Sequence, residues 1–247
     1  MKRYEEYRNS GVRWVEKIPA QWSVSKLKWL TADSEGGVWG DDPSDDGISH
    51  IVLRSTEQTT DGKWCIDNPA VRDLSGVPNM HKYALRDGDL LITKSSGSES
   101  HIGKTTIYRK DLFDEEVYYS NFMQRLRVLD EAIPEFFWYL LNSDLSRVQY
   151  CFLQNSTSGL GNLSSKTIGQ LVVPKPDRHT QERIVAYLDA KTAEIDELIN
   201  QTKGSIDLLE EYRKSMISEI VTRGLNPDVP MKDSGIEWIG KIPEHWE

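Results

Sequence analysis

"TQERIVAYLDAKTAEIDELINQTKGSIDLLEEYRKSMISEIVTRG", Thr180–Gly224, is the stretch on which the fold turns. It holds no proline, and Gly204 is its one glycine before Gly224, which sits where a helix is expected to stop. Thr180 is placed to cap the start. Leu188, Ile195, Thr202, Leu209 and Met216 recur every seven residues, Leu198 and Tyr212 fall at the complementary positions of the heptad, and Ile199, Ile206 and Ile220 widen the stripe. Glu, Lys and Arg fill the positions between. Such a pattern is a coiled-coil helix that needs a partner. Some forty residues of helix span roughly 60 Å, more than one small domain can cover.

Upstream the texture differs. "HIVLRS" (50–55), "DLLITK" (89–94), "TTIYRK" (105–110) and "MQRLRVL" (123–129) are short, apolar and β-branched, separated by Gly, Asn, Asp and Pro turns. They read as an irregular, mainly β domain. One helix is expected inside it, starting at Pro134 in "PEFFWYLLNSDLSRVQYCF", with Phe137, Leu140, Leu141 and Leu145 at helical spacing. "VVPKP" (172–176) closes the domain. The fold class is therefore α+β: a mixed, β-rich domain over residues 1–177, a long coiled-coil helix over 178–224, and a tail over 225–247.

The tail repeats the start of the chain. "SGVRWVEKIPAQWS" (10–23) recurs as "SGIEWIGKIPEHWE" (234–247), 224 residues later, with Ser, Gly, both Trp, Lys, Ile and Pro in register. One structural period is present, followed by the first segment of the next.

Composition narrows the function classes. The chain has 247 residues, 38% of them hydrophobic, with eight Trp, which is globular. No run approaches the roughly 18 apolar residues of a spanning helix, and "MKRYEEYRNS" (1–10) is charged, so a cytoplasmic protein with no membrane partner is expected. Cys65 and Cys151 are isolated and no His cluster exists, which leaves neither a zinc site nor a disulfide framework. The net charge of −9 counts against a nucleic-acid partner overall. The local field decides, however, and acid is concentrated in "DDPSDD" (41–46) and the helix, while Lys94–Lys110 is basic.

"SSGSESHIGKTT" (95–106) imitates a phosphate loop. Five residues separate Gly97 from Gly103 where a Walker loop has four, and "TTIY" favours a strand where a helix is required. Nucleotide turnover fails on spacing and context. The same loop, with Lys94, Ser95, Ser96, Gly97, Ser98 and Lys104, suits a segment entering a DNA groove or bracing phosphates. "QNSTSGLGNLSS" (154–165) offers Ser156 and Thr157 in the same way, with a plain turn as the alternative, favoured at Asn162 and Leu163. Arg54, Arg125 and Arg127 are candidates for base contact, and the alternation of Arg125 and Arg127 with Leu126 and Val128 puts both on one strand face. Arg72 and Lys82 are weaker candidates. Trp39 and Trp64 are expected in core packing. Pro176-Asp177 with Asp189 and Lys191 imitates a nuclease carboxylate set, but the last two lie on the helix, so a metal site is not expected.

The ordered set "SGVRWVEKIPAQWSVSKLK", "LRDGDLLITKSSGSESHIGKTTIY", "STSGLGNLSSKTIGQLVVPKP" and "TQERIVAYLDAKTAEIDELI" resembles the DNA-specificity subunit of type I restriction-modification systems. The resemblance covers nearly the whole chain. It implies a β-rich target-recognition domain that reads half of a bipartite site on double-stranded DNA, then a long spacing helix, then a repeat of the plan. This chain has one recognition domain and one helix, similar to half-length subunits that pair as homodimers. The resemblance further implies no catalysis in this chain. An adenine-methyltransferase subunit is positioned by the helix and the Trp14/Trp22 and Trp238/Trp246 segments, and a restriction and translocase subunit joins it. S-adenosylmethionine, ATP and magnesium belong to those partners, and none to this chain. The rival readings are a coiled-coil interaction protein that binds or blocks restriction subunits without reading DNA, and a nuclease acting alone.

Overall fold

The computed structural model describes residues 4–43, 49–96, 98–153, 155–157 and 160–247. In chain order the strands are β1 (Tyr7–Val12), β2 (Val15–Pro19), β3 (Ser23–Lys26), β4 (Thr31–Gly36), β5 (Ser49–Leu53), β6 (Ala70–Asp73), β7 (Leu90–Thr93), β8 (Ser95–Ser96), β9 (Thr105–Ile107), β10 (Val117–Tyr119), β11 (Met123–Val128), β12 (Asn155–Thr157), β13 (Leu160–Asn162), β14 (Val172–Lys175), β15 (Met231–Asp233) and β16 (Lys241–Pro243). The helices are α1 (Pro134–Asn142), α2 (Asp144–Leu153), α3 (Ser165–Gly169) and α4 (Arg178–Arg223). The chain forms two compact units, Met1–Ala186 and Tyr187–Glu247. Among the described residues no helix is long and apolar enough to cross a membrane.

The first unit is built on the four-stranded sheet β4-β11-β7-β9. Both faces are covered, which explains why β7 is an unbroken apolar run. Leu90 and Ile92 of β7, with Leu126 and Val128 of β11, face a core shared with Phe136, Phe137, Leu140 and Leu141 of α1. The alternate residues Leu91 and Met123 face a second core with Leu53, Leu85 and Tyr119. A second sheet, β10-β5-β6, includes a parallel pair, β10 with β5. Trp64 packs against the second core and donates from Nε1 to the Ile107 carbonyl at 2.9 Å, while Trp39 packs in a third cluster around Leu74 and Tyr118.

β14 pairs antiparallel with β3, Lys175 opposite Ser23, so the end of the domain lies beside its third strand, directly after the first hairpin. The "VVPKP" segment closes it in this sense. The helix expected from Pro134 is two helices. Ser143 between them has extended backbone (φ −77, ψ 161), and Asn142 turns its amide to the Thr105 backbone at 3.0 and 2.8 Å. Both residue types bind backbone groups and so interrupt a helical run.

α4 starts at Arg178, ahead of Thr180. Asp177 is the cap: its carboxylate accepts the Thr180 N–H at 2.9 Å and the Thr180 hydroxyl at 2.9 Å, which holds its pKa below the usual range. Gln181 anchors this end, accepting the Ile133 N–H and donating to the Pro176 carbonyl, both at 3.0 Å, and Ile184 and Val185 join the core. At the other end Gly224 has φ +78 and donates to the Ile220 carbonyl at 2.9 Å. It is the left-handed stop its position suggested.

Between these ends the heptad stripe is in water: Ile195, Leu198, Ile199, Ile206, Leu209, Tyr212, Met216 and Ile220 are all exposed, as is Thr202, and Leu188 is half-buried. Leu208, Ile217 and Val221 add further exposed apolar surface.

The sequence repeat is a structural one. β1 and β2 pair Tyr7 with Pro19 and Asn9 with Lys17; β15 and β16 pair Met231 with Pro243 and Asp233 with Lys241, the same register 224 residues on. Gly11 and Gly235 both have φ +74 and donate to Asn9 and Asp233 side chains at 2.9 Å. Trp22 and Trp246 donate their backbone N–H to Pro19 and Pro243 at 2.9 and 3.0 Å.

Gly103 is tightly constrained by a neighbouring side chain. It has φ +78, and a Cβ there would lie 2.3 Å from the Tyr150 ring. Gly103→Ala is expected to cost about 2–4 kcal/mol through backbone strain and overpacking, read as a lowered urea midpoint. An unshifted midpoint would contradict the Tyr150 packing.

Candidate nucleic-acid interface

The two Ser-rich loops, distant in sequence, meet in space. β8 carries Ser95 and Ser96, and β13 runs antiparallel to it with Gly161 opposite Ser96 and Asn162 opposite Ser95. The Ser95 hydroxyl donates to Asn162 Oδ1 at 3.1 Å. β12, which holds Ser156 and Thr157, is the outer strand of the same three-stranded sheet. Buried Leu163 fastens the sheet to the domain, its N–H reaching the Lys94 carbonyl at 2.8 Å. Ser98 continues the surface, with its N–H on Ser96 Oγ at 3.2 Å and its hydroxyl 2.8 Å from that of Ser100. Gly97 lies outside the described residues.

Lys94 sits at the root of this sheet. Burial lowers its ammonium pKa, the Glu35 carboxylate acts in the opposite direction, and a Cβ on Gly36 would be 3.1 Å from its Nζ. Its N–H donates to the carbonyl of Phe122, whose ring is exposed. A polar relay runs behind: Ser165 Oγ donates to Gln124 Oε1 at 2.7 Å and Gln124 Nε2 to Ser34 Oγ at 3.0 Å. Lys94, Ser95, Ser96 and Ser98 thus share one polar surface, and the strand that carries Ser156 and Thr157 belongs to the same sheet. It presents hydroxyl and amide groups beside an ammonium, the donor chemistry that phosphates and base edges accept. Phe122 and Ser165 were not singled out from the sequence, because nothing local marks an exposed turn residue as lying beside a loop of distant origin.

Four basic candidates lie elsewhere and are engaged in the fold. Lys104 is 1% exposed, and its Nζ donates to the carbonyls of Ser55 at 3.1 Å and Gln58 at 2.7 Å. Burial lowers its pKa. With Gly103 held against Tyr150, the Gly-Lys pair that imitated a phosphate loop is interior architecture. Arg125 and Arg127 do share a strand face, on which Arg125 is buried and Arg127 partly buried. Arg125 is buried, ion-paired with Asp33 and hydrogen-bonded to the carbonyls of Lys82 and Ala84 at 2.8 and 3.1 Å. Arg127 makes a bidentate pair with buried Asp89 at 2.8 and 2.7 Å. Arg54 is half-exposed, with its guanidinium on Glu57 at 2.9 and 2.6 Å and on the Asn68 carbonyl. Of the weaker pair, Arg72 contacts Asp42 and stacks over Trp39, and Lys82 lies 3.6 Å from Glu35. Charge alternation cannot tell a covered strand face from an open one.

Among the described residues no group of three His, Cys, Asp or Glu side chains gathers where a metal could be held. Asp177, the first carboxylate of the nuclease-like set, serves as the cap of α4.

A family model for the type I restriction modification DNA specificity domain matches residues 55–208, spanning the two loops and most of the helix. The chain belongs to this family. A Methanocaldococcus jannaschii protein assigned as the specificity subunit of the type I restriction enzyme MjaX is 26% identical over 94% of the chain and 52% of its own length. The specificity subunit of type I restriction enzyme EcoKI from Escherichia coli K12 is 25% identical over 76% of the chain and 41% of its own length. The specificity chain therefore spans about half the length of the curated relatives it matches. The crystal structure of an HsdS subunit from Thermoanaerobacter tengcongensis superposes with a TM-score of 0.60 at 18% identity, over 86% of this chain and 52% of that one. It shares the fold, a mixed β-rich domain followed by a long helix.

Lys104→Met is expected to destabilise the recognition domain by about 1–3 kcal/mol, since two buried carbonyls lose their donor. It should leave the salt dependence of DNA binding unaltered. A changed salt slope at unchanged stability would return Lys104 to the interface.

Proposed function

We propose that this chain is a non-catalytic DNA-reading subunit of a type I restriction-modification complex, and that it reads one half of a bipartite site. The observation that carries the reading is the junction of the two Ser-rich loops in one polar sheet with Lys94 at its root. Phosphate contacts from that sheet fix register on the duplex, and base edges are read by polar groups beside it.

Pairing through α4 supplies the other half. The exposed stripe from Ile195 to Ile220 supports an antiparallel homodimer, because a heptad seam left in water gains most by burying itself against an identical one. Two-fold symmetry then sets the DNA site: two inverted half-sites separated by a fixed number of unspecified bases. Methylation of adenine and cleavage belong to partner subunits, on which S-adenosylmethionine, ATP and magnesium act. The apolar surface beyond the seam, at Leu208 and Val221, together with the Trp14 hairpin, supports docking of the methylating subunit.

Lys94→Gln should weaken binding to all DNA sequences and lower the slope of log affinity against log salt by about 1. A slope equal to the parent's would remove Lys94 from the phosphate contacts. Ile195→Asp places a charge in the seam and should convert a dimer to monomer in sedimentation; a dimer that survives would sink pairing through α4.

A further inference from the structure

The two copies of the hairpin differ in one respect. In the first, Trp14 lies on Phe152 of α2, ring centroids 4.9 Å apart, with Arg13 stacked over both rings at 5.3 and 5.9 Å. In the second, the equivalent Trp238 is 88% exposed, and Glu237 stands in the place of Arg13. Ile236, two residues before it, is exposed as well. The α2 face is itself unfinished: with Trp14 in place, Phe152 is still 61% exposed, and Val148, one turn earlier, is also exposed. The opposite side of α2 is buried through Ser146, Gln149 and Tyr150, so this face is held rigidly.

We infer that Trp238 of one copy docks on the Val148–Phe152 face of a second copy, so that each pair of chains contains two such contacts. The inference rests on the antiparallel pairing of α4 proposed above. Alignment of the stripe Leu188–Ile220 with itself in opposite directions brings the Gly224 end of one helix beside the turn around Ile184 of the other. That turn packs on its own recognition domain. The second hairpin, seven residues past the helix, is thereby delivered to the neighbouring copy's domain. The chemistry fits at both ends. Trp14 on Phe152 demonstrates that this ring accepts an indole, and the free side of the same ring is open. Glu237 arrives next to Arg13, which no carboxylate pairs among the described residues, so opposite charges meet at the rim. An isologous arrangement covers both patches with no other partner. Displacement of Trp14 is not required, and its hairpin runs directly into β3, which keeps it in place.

The test uses the full chain. Trp238→Ala and Phe152→Ala should each raise the dimer dissociation constant about tenfold or more in sedimentation equilibrium, and the double variant should be no weaker than either alone. In a Cys65→Ser background, Glu237→Cys chains mixed with differently tagged Glu237→Cys chains should be joined by a short bismaleimide to Cys151, the exposed neighbour of Phe152. Cys151→Ser should abolish the product. A dimer that Ile195→Asp dissociates, but that Trp238→Ala leaves unchanged and the cross-linker does not join, overturns this inference while sparing α4 pairing. The same holds if Trp238→Ala weakens only capture of the methylating subunit. A chain that is monomeric at all concentrations overturns both.

Discussion

The exposed apolar seam of α4 is the constraint from which the rest follows. A helix of this length has far more apolar surface than the turn at Gln181, Ile184 and Val185 can bury, and the remainder stays in water in a single chain. Burial at roughly 25 cal/mol per Å² makes an unpartnered seam costly, and its heptad spacing restricts what covers it to another long helix. The two ends of α4 differ in what they join in sequence. The recognition domain is fixed at the start, where Asp177 caps and Gln181 anchors, and a copy of the first hairpin follows Gly224 at the finish.

The recognition domain keeps its polar surface where loops can vary and its charge where they cannot. Arg125 with Asp33, Arg127 with Asp89, and Lys104 on two carbonyls tie the sheet to the loops that cover it. The Arg127–Asp89 pair and the Lys104 ammonium make close hydrogen bonds, Arg125 is held through its two terminal nitrogens while its Nε is left without a partner among the described residues, and a buried polar network of this kind restricts the arrangement of the loops around it. The β8-β13-β12 sheet is different in kind. It is short and hydroxyl-rich, and buried Leu163 directly after β13 ties it to the domain. Its strands can change in sequence without disturbing the core, as the proposed role of a variable reading surface requires.

Much of this was legible in the residues. The seven-residue spacing from Leu188 to Met216 gave α4, the glycine at 224 its end, and the 224-residue repeat a hairpin that recurs in the same register. What failed did so for identifiable reasons. Thr180 looked like the cap, but the helix begins at Arg178, so Asp177 takes the capping position and Thr180 supplies the N–H that is capped. Asn142 and Ser143 broke one helix into two by binding backbone groups. Lys104, Arg125 and Arg127 looked like ligands for DNA because a sequence shows charge but not cover. The meeting of Ser95 with Asn162 could not be read at all, since a tertiary strand pairing leaves no local signal when both strands are two or three residues long.

The central claim is that one short chain reads a two-part site by pairing with itself. The most direct measurement is methylation of a random-sequence DNA library by this chain co-purified with its cognate methylating subunit, read by long-read sequencing. The account predicts a motif of two inverted half-sites around a spacer of fixed length. Methylation at an asymmetric or undivided motif, or a stable complex that methylates no motif, would contradict it.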